Sequence, residues 1–158
     1  MIGGWLRRKI VNPILDLLRQ GITPEKIALS IALGLTLGVT PVLGSTSILC
    51  SLAAVLLRLN LPAIQLVNYL VYPLQLTLLV PFIRIGEWMF AAPQVSITLA
   101  GIIGLIREDV WHAIATLWTA TMHALVAWLM IGSLAFLVIY ALLTPFLRRL
   151  SQSLQTGI

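Results

Sequence analysis

The side chains able to do chemistry are few and thinly spread. The acidic residues are Asp16, Glu25, Glu87, Glu108 and Asp109, all placed at segment ends. General acid–base work needs two titratable groups within reach of one substrate atom, and no paired carboxylate motif lies inside an apolar run. His112, Thr116, Thr119 and His123 recur at helical spacing and share one stripe. The two imidazoles are then about 16 Å apart along a helix axis, too far to ligate one metal without help from other elements. Hydrogen bonding inside a bundle, or at headgroup level, is the simpler role for them. Ser45 and Ser47 in "LGSTS" do not form a nucleophile elbow. The sequence therefore predicts no enzyme, no metal and no cofactor.

A second polar stripe has a different character. Gln65, Asn68, Tyr72 and Gln75 share one face of the uncharged stretch "NLPAIQLVNYLVYPLQLTLLVPF", a stretch long enough to span a bilayer. Four polar groups cannot face lipid cheaply, so the stripe belongs either to interhelical hydrogen bonds or to the wall of a polar cavity. Pro73 and Pro81 each remove a backbone donor and predict a kinked, protein-buried helix.

The elements that must position these groups follow from composition. The chain has 158 residues, 59% apolar and 9% charged, where a soluble domain carries roughly a quarter charged. This is the composition of an integral membrane protein. The net charge of +5 comes from Lys and Arg at the ends of apolar runs, which points to phospholipid surface and away from nucleic acid. A single cysteine, Cys50, excludes a disulfide within the chain. Residues 1–20 read as a retained interfacial amphipathic helix with Trp5 at headgroup level, or as a short arm packed on the rest. Residues 21–149 form one helical membrane domain and residues 150–158 a cytoplasmic tail.

Thr23, Pro24 and Glu25 have the grammar of a helix start. From Ile27 to Leu57 there is no charge, yet "GVTPVLGSTS" breaks the run at its centre. Each arm is about 13 residues, or ~20 Å, against a hydrocarbon core of ~30 Å. Two geometries remain: one long, kinked, tilted helix, or a re-entrant hairpin, which we favour. Ser30, Gly34 and Gly38 on the first arm and Ser47, Ser51 and Ala54 on the second offer small faces for close packing. The break is either a tight turn or an anion seat, with the N–H groups at Gly44, Ser45, Thr46 and Ser47 aimed at a phosphate. Met89 to Ile106 is interrupted by Pro93 and reads as a shallow or re-entrant segment. Ala124 to Leu147 reads as a span with a bend at Gly132–Ser133. With these spans both termini share a side with eight basic residues, Arg58 among them, against Arg84 and Arg107 opposite, so both termini are predicted to be cytoplasmic.

"GITPEKIALSIALGLTLGVTPVLG", "LLRLNLPAIQLVNYLVYPLQ" and "IRIGEWMF" together resemble the prokaryotic membrane family catalogued as domain of unknown function twenty sixty-two. The matching positions are Gly21, Thr23, Pro24, Gly34, Gly38, Pro41, Gly44, Arg58, Asn60, Pro73 and Gly86, and "IGSLAFLVIY" is similar to the family's last helix. Where the family often has Asn-Pro, this chain has Tyr72-Pro73. The resemblance implies a small multi-pass protein of the inner membrane, sometimes joined to glycosyltransferase-like regions, with no settled activity.

The expected fold class is all-α: a small polytopic helical membrane protein with a Pro/Gly-broken hairpin and kinked spans. Two functions are open. One is a transporter or translocase of an anionic, phosphate-bearing lipid or lipid-linked sugar. The other is a non-catalytic anchor or assembly module, acting as a homo-oligomer or beside a membrane-associated glycosyltransferase. A hydrated cavity joining Ser45 to Asn68 would favour the first, and a dry Gly34/Gly38 surface in an oligomer the second.

Overall fold

The computed structural model describes residues 22–156 together with Asn12 and Asp16, and the expected interfacial helix at 1–20 otherwise lies outside the described residues. Among the described residues the chain is all-helical, with no strand. The helices are α1 (Pro24–Gly38), α2 (Thr46–Leu56), α3 (Leu61–Leu70), α4 (Tyr72–Met89), α5 (Leu99–Glu108) and α6 (Val110–Thr156).

The start of α1 is capped as its sequence requires: the Thr23 hydroxyl accepts from the Lys26 N–H, and Pro24 fills a first-turn position whose N–H would be unused anyway. Past Gly38 the chain turns through Thr40 and Pro41 to Gly44, whose φ of +85° suits glycine. α2 ends in a Schellman-type closure, with Leu59 N–H donating to Ala54 O at 2.8 Å and Arg58 in the left-handed region at φ 52°. Arg58 is an unusual residue there. Asn60 Oδ1 then caps α3 by accepting from Ala63 N at 2.9 Å.

Contacts along α3 fix the direction of the arms. Gly34 lies against Ile64 and Val67, and Gly38 against Asn68 and Val71, so α1 and α3 advance together. Ser51 and Ser47 of α2 meet Gln65 and Asn68 in the opposite order, so α2 runs back between two rising helices. The two arms thus form a helical hairpin, not one kinked rod. The small faces are used differently from the expectation, because neither arm packs its face mainly on the other. Both faces close on α3, which covers the hairpin, with Cys50, Ala54 and Ile64 buried together beneath Leu33 and Leu37.

Between α3 and α4 the chain again departs from the expected geometry. Instead of one helix kinked at Pro73, the chain breaks at Val71 and changes direction by 61°. The proline ring crowds the carbonyl four residues earlier and disfavours helix just before it, so the break falls on the preceding turn. Pro81, by contrast, is carried inside α4.

α4 ends in a second Schellman-type closure, with Ala92 N–H on Glu87 O at 2.9 Å and Ala91 at φ 48°. In the expected shallow or re-entrant segment over Met89–Ile106 an irregular strap occupies 92–98, and the helix begins only at Leu99, capped by Thr98, and runs to Glu108. Asp109 then starts α6 by accepting from Trp111 N at 2.8 Å and His112 N at 3.3 Å. α6 has 47 residues, about 70 Å at 1.5 Å each. It runs unbroken through Gly132–Ser133 and continues beyond Arg149 into the expected tail.

α6 is the spine of the molecule. Its C-terminal half packs on α1 through Leu147, Ile27 and Ala28, and Trp128 Nε1 donates to Thr36 O at 3.0 Å. Its N-terminal half packs on α4 and α5, with the His123 and Ala124 backbone pressed against Gly86. By length and composition α6 can cross a membrane, with a mean hydropathy of 2.4 over its most apolar window, and α3 with α4 qualifies only if the bent pair counts as one span.

Candidate functional site

Of the expected polar stripe, three members converge on the hairpin. Gln65 Nε2 donates to Ser47 O and to Ser51 Oγ, both at 2.9 Å. Asn68 Nδ2 donates to Ser47 Oγ and to Gln65 Oε1, both at 3.2 Å, and Asn68 is buried. Gln75 Nε2 donates to Thr40 O at 2.8 Å, which ties the start of α4 to the end of α1. The pattern has a physical logic: Thr40 precedes Pro41 and lies past the end of α1, so its carbonyl needs a partner from outside the helix. Gln75 Oε1 is buried without a partner.

Tyr72 departs from the stripe. It is 48% exposed, because the break at Val71 ends the helical phase that would have turned it inward, while Gln75 regains the interior on a new axis. At the hairpin tip Gly44 is open, with nothing within 4 Å of a built Cβ. Ser45 Oγ donates back to Val42 O at 2.8 Å and does not cap α2, and Thr46 is buried. Asn68 is engaged by Ser47 rather than facing a passage toward Ser45. Gly34 and Gly38 are covered by Val67 and Val71 of the same chain, which withdraws them from an oligomer surface. Ser30 is likewise buried, its hydroxyl on Lys26 O.

A second region gathers titratable groups that sequence reasoning kept apart. Glu87 is 3% exposed, with Arg84 Nη1 on its Oε2 at 2.7 Å and Val95 N–H on its Oε1 at 2.8 Å. Beside it is a cavity of about 230 Å³ walled by the strap and by the stripe His112, Thr116, Thr119 and His123. His123 stacks on Phe90 with centroids 4.3 Å apart. Among the described residues no group of three His, Cys, Asp or Glu could hold a metal ion. Two signals in the sequence pointed here without being joined: the Arg84/Glu87 spacing of a helical ion pair, and the glycine beside Glu87 that lets α4 touch α6.

The fold and these sites define an all-helical protein with a clamped helical hairpin and one long apolar helix. The chain belongs to the family described as "uncharacterized protein conserved in bacteria (DUF2062)", which matches residues 7–154. No curated protein and no solved structure matches it.

Proposed function

We propose that the chain is a multi-pass inner-membrane protein, its hairpin re-entrant from the side that holds both termini, and that it serves as a non-catalytic anchor or assembly module. The observation that carries this reading is the use of the stripe: Gln65, Asn68 and Gln75 all donate into the hairpin, so the polar groups hold helices together. In lipid such bonds are how helices associate, since apolar contact alone gives little preference over acyl chains. Membrane lipids are its constant partners, and a second copy of the chain or a membrane-associated glycosyltransferase is the kind of protein it would hold. Exposed Ile48, Leu52, Val55 and Leu56 on α2 fit a helix facing lipid.

Translocation of an anionic, phosphate-bearing lipid is the second reading. It is favoured by one feature, the start of α2, where no side chain caps the first-turn N–H groups next to the open Gly44 tip. Purified protein in liposomes containing fluorescent phosphatidylglycerol separates the two. Unchanged flip rates support the module, and accelerated flipping that Thr46→Val reduces would replace it with the translocase. Topology is tested by single cysteines at Asn60, Trp88 and Ser151 in a Cys50→Ser background, with an impermeant thiol reagent. Positions 60 and 151 should label from one face and position 88 from the other; labelling of 60 and 151 from opposite faces excludes the re-entrant hairpin.

A further inference from the structure

The Glu87 cavity has no part in the hairpin clamp, and its lining has a definite chemical bias. An ionised carboxylate offers about four acceptor positions, and Glu87 uses one on each oxygen. Thr119 Oγ1 donates to Ala115 O, so toward the cavity it presents lone pairs. The His123 ring stacks on Phe90 and has no hydrogen-bond partner among the described residues, and a neutral imidazole offers one donor and one acceptor. Arg84 is bonded to Glu87 and 38% exposed, which leaves guanidinium N–H groups at the surface beside the carboxylate. The local charges cancel, Arg84 against Glu87, so a ligand of large net charge gains little there. A ligand carrying both signs, with an N–H-bearing cation for the acceptors and an anion for the imidazole, matches the groups that line the cavity.

Three exposed tryptophans surround this end, Trp88, Trp111 and Trp118. Exposed indoles collected at one end of a helical bundle are the mark of a headgroup layer. We infer that the cavity between α4, the 92–98 strap and α6 binds the phosphoethanolamine headgroup of an aminophospholipid, its ammonium at Glu87 and Thr119 and its phosphate at His123. The cavity, at about 230 Å³, takes the headgroup while the acyl chains stay outside along α6. The site rests on the membrane reading only for the supply of lipid; the topology labelling tests that reading separately.

The test uses the purified full chain in detergent and native mass spectrometry, with phosphatidylethanolamine, phosphatidylcholine and phosphatidylglycerol of identical acyl chains. Phosphatidylcholine has the same charges but no N–H donor, so phosphatidylethanolamine should be retained roughly tenfold better, the order expected for hydrogen bonds to a charged group. Thr119→Val should cut that ratio several-fold. His123→Phe keeps the ring against Phe90 and should lower retention of phosphatidylethanolamine without moving the melting temperature. Glu87→Gln should remove the ratio, but because Glu87 also fastens the strap, the two other variants carry the test if it unfolds. Glycerophosphoethanolamine added at millimolar concentration distinguishes sources: competition means that the headgroup alone is recognised, and retention without competition means that the lipid is the ligand. Equal retention of the three lipids, or a preference that survives Thr119→Val and His123→Phe in folded protein, overturns the site.

Discussion

The hairpin and the Glu87 end of the molecule both bury polar groups, but they satisfy them in opposite ways. In the hairpin each amide reaches a partner on a neighbouring helix or on the turn between the arms, and the space between is filled by small and aliphatic residues. At the Glu87 end the carboxylate is held by its own helix and by the strap, and the stripe on α6 faces open volume. A polar group that closes a packing interface is structural; one that lines a cavity is available to a ligand. The same kind of helical polar stripe therefore has two destinies, decided by whether a neighbouring helix lies over it.

The sharpest way to break this comparison is at the glycines that set how closely the helices approach. A Cβ on Gly86 would sit 2.5 Å from the His123 carbonyl carbon, and backbone on both sides cannot give way. Gly86→Ala should cost about 3 kcal/mol or more, seen as loss of folded protein in a detergent melt, because the α4–α6 contact must open. At Gly38 the nearest atom is a Val71 methyl at 2.4 Å, a side chain able to turn, and about 1–2 kcal/mol is expected. Gly104 in α5 has nothing within 4 Å, so Gly104→Ala should instead stabilise by up to about 1 kcal/mol through helix propensity. Equal effects at Gly86 and Gly104 would mean that α4 and α6 are not in backbone contact.

Next in size are the stripe amides. Gln65→Leu removes two donated bonds and the one accepted from Asn68, and Asn68→Leu removes two donated bonds. Interhelical hydrogen bonds in membranes average about 0.6 kcal/mol, so each variant should lose about 1–2 kcal/mol in a reversible unfolding assay, Gln65→Leu the more. Gln75→Leu removes the unpartnered Oε1 but leaves the buried Thr40 carbonyl without its donor, so a loss of similar size, about 1 kcal/mol, is expected. On the α6 stripe Thr119→Val, at an exposed position, should leave stability within about 0.5 kcal/mol, as exposed substitutions do. A large loss there would put that stripe in the same structural role as the first.

Much of this was legible in the sequence. Thr23, Pro24 and Asn60 announced their helices by local hydrogen bonding, and the broken run around Gly44 announced a hairpin because its arms are short. Gln65, Asn68 and Gln75 could be placed inward by periodicity. Tyr72 could not, because the 61° break at Val71 resets the helical phase, and periodicity assumes a single axis. The partner of the Gly34/Gly38 face was also hidden: a small face states that something packs closely, not which helix does. Glu87 was the largest omission. Its burial depends on the strap returning over α4, and that return is set by left-handed Ala91, a conformation that no alanine advertises.

That residue supplies a smaller test. Ala91 at φ 48° bears the steric cost of a side chain in left-handed backbone, roughly 1–2 kcal/mol, against about 0.5–1 kcal/mol of extra chain entropy for glycine. Ala91→Gly should raise stability by about 0.5 kcal/mol. It should leave the hairpin unchanged by hydrogen exchange, since the closure it relaxes belongs to the Glu87 end.

The smallest effect is expected where the hairpin meets the far end of α6. Glu25, in the first turn of α1, accepts from Arg148 Nε at 2.6 Å, and this hydrogen bond, with the backbone of its own helix turn, holds its carboxyl below the usual value of 4.5. A carboxylate whose folded value is depressed stabilises the fold fully above its unfolded value, and the contribution disappears as pH falls through the folded one. The window thus opens below about pH 4.5 and closes at lower pH. Because the Arg148 side chain is 60% exposed and that of Glu25 37%, solvent screens the pair, which should register as a slight, salt-sensitive fall in melting temperature in that window. Glu25→Gln should flatten that slope while leaving stability at neutral pH almost unchanged. If the variant instead detaches α1 from the C-terminal half of α6, the ion pair rather than the packing of Ile27 and Ala28 on Leu147 would be what joins them.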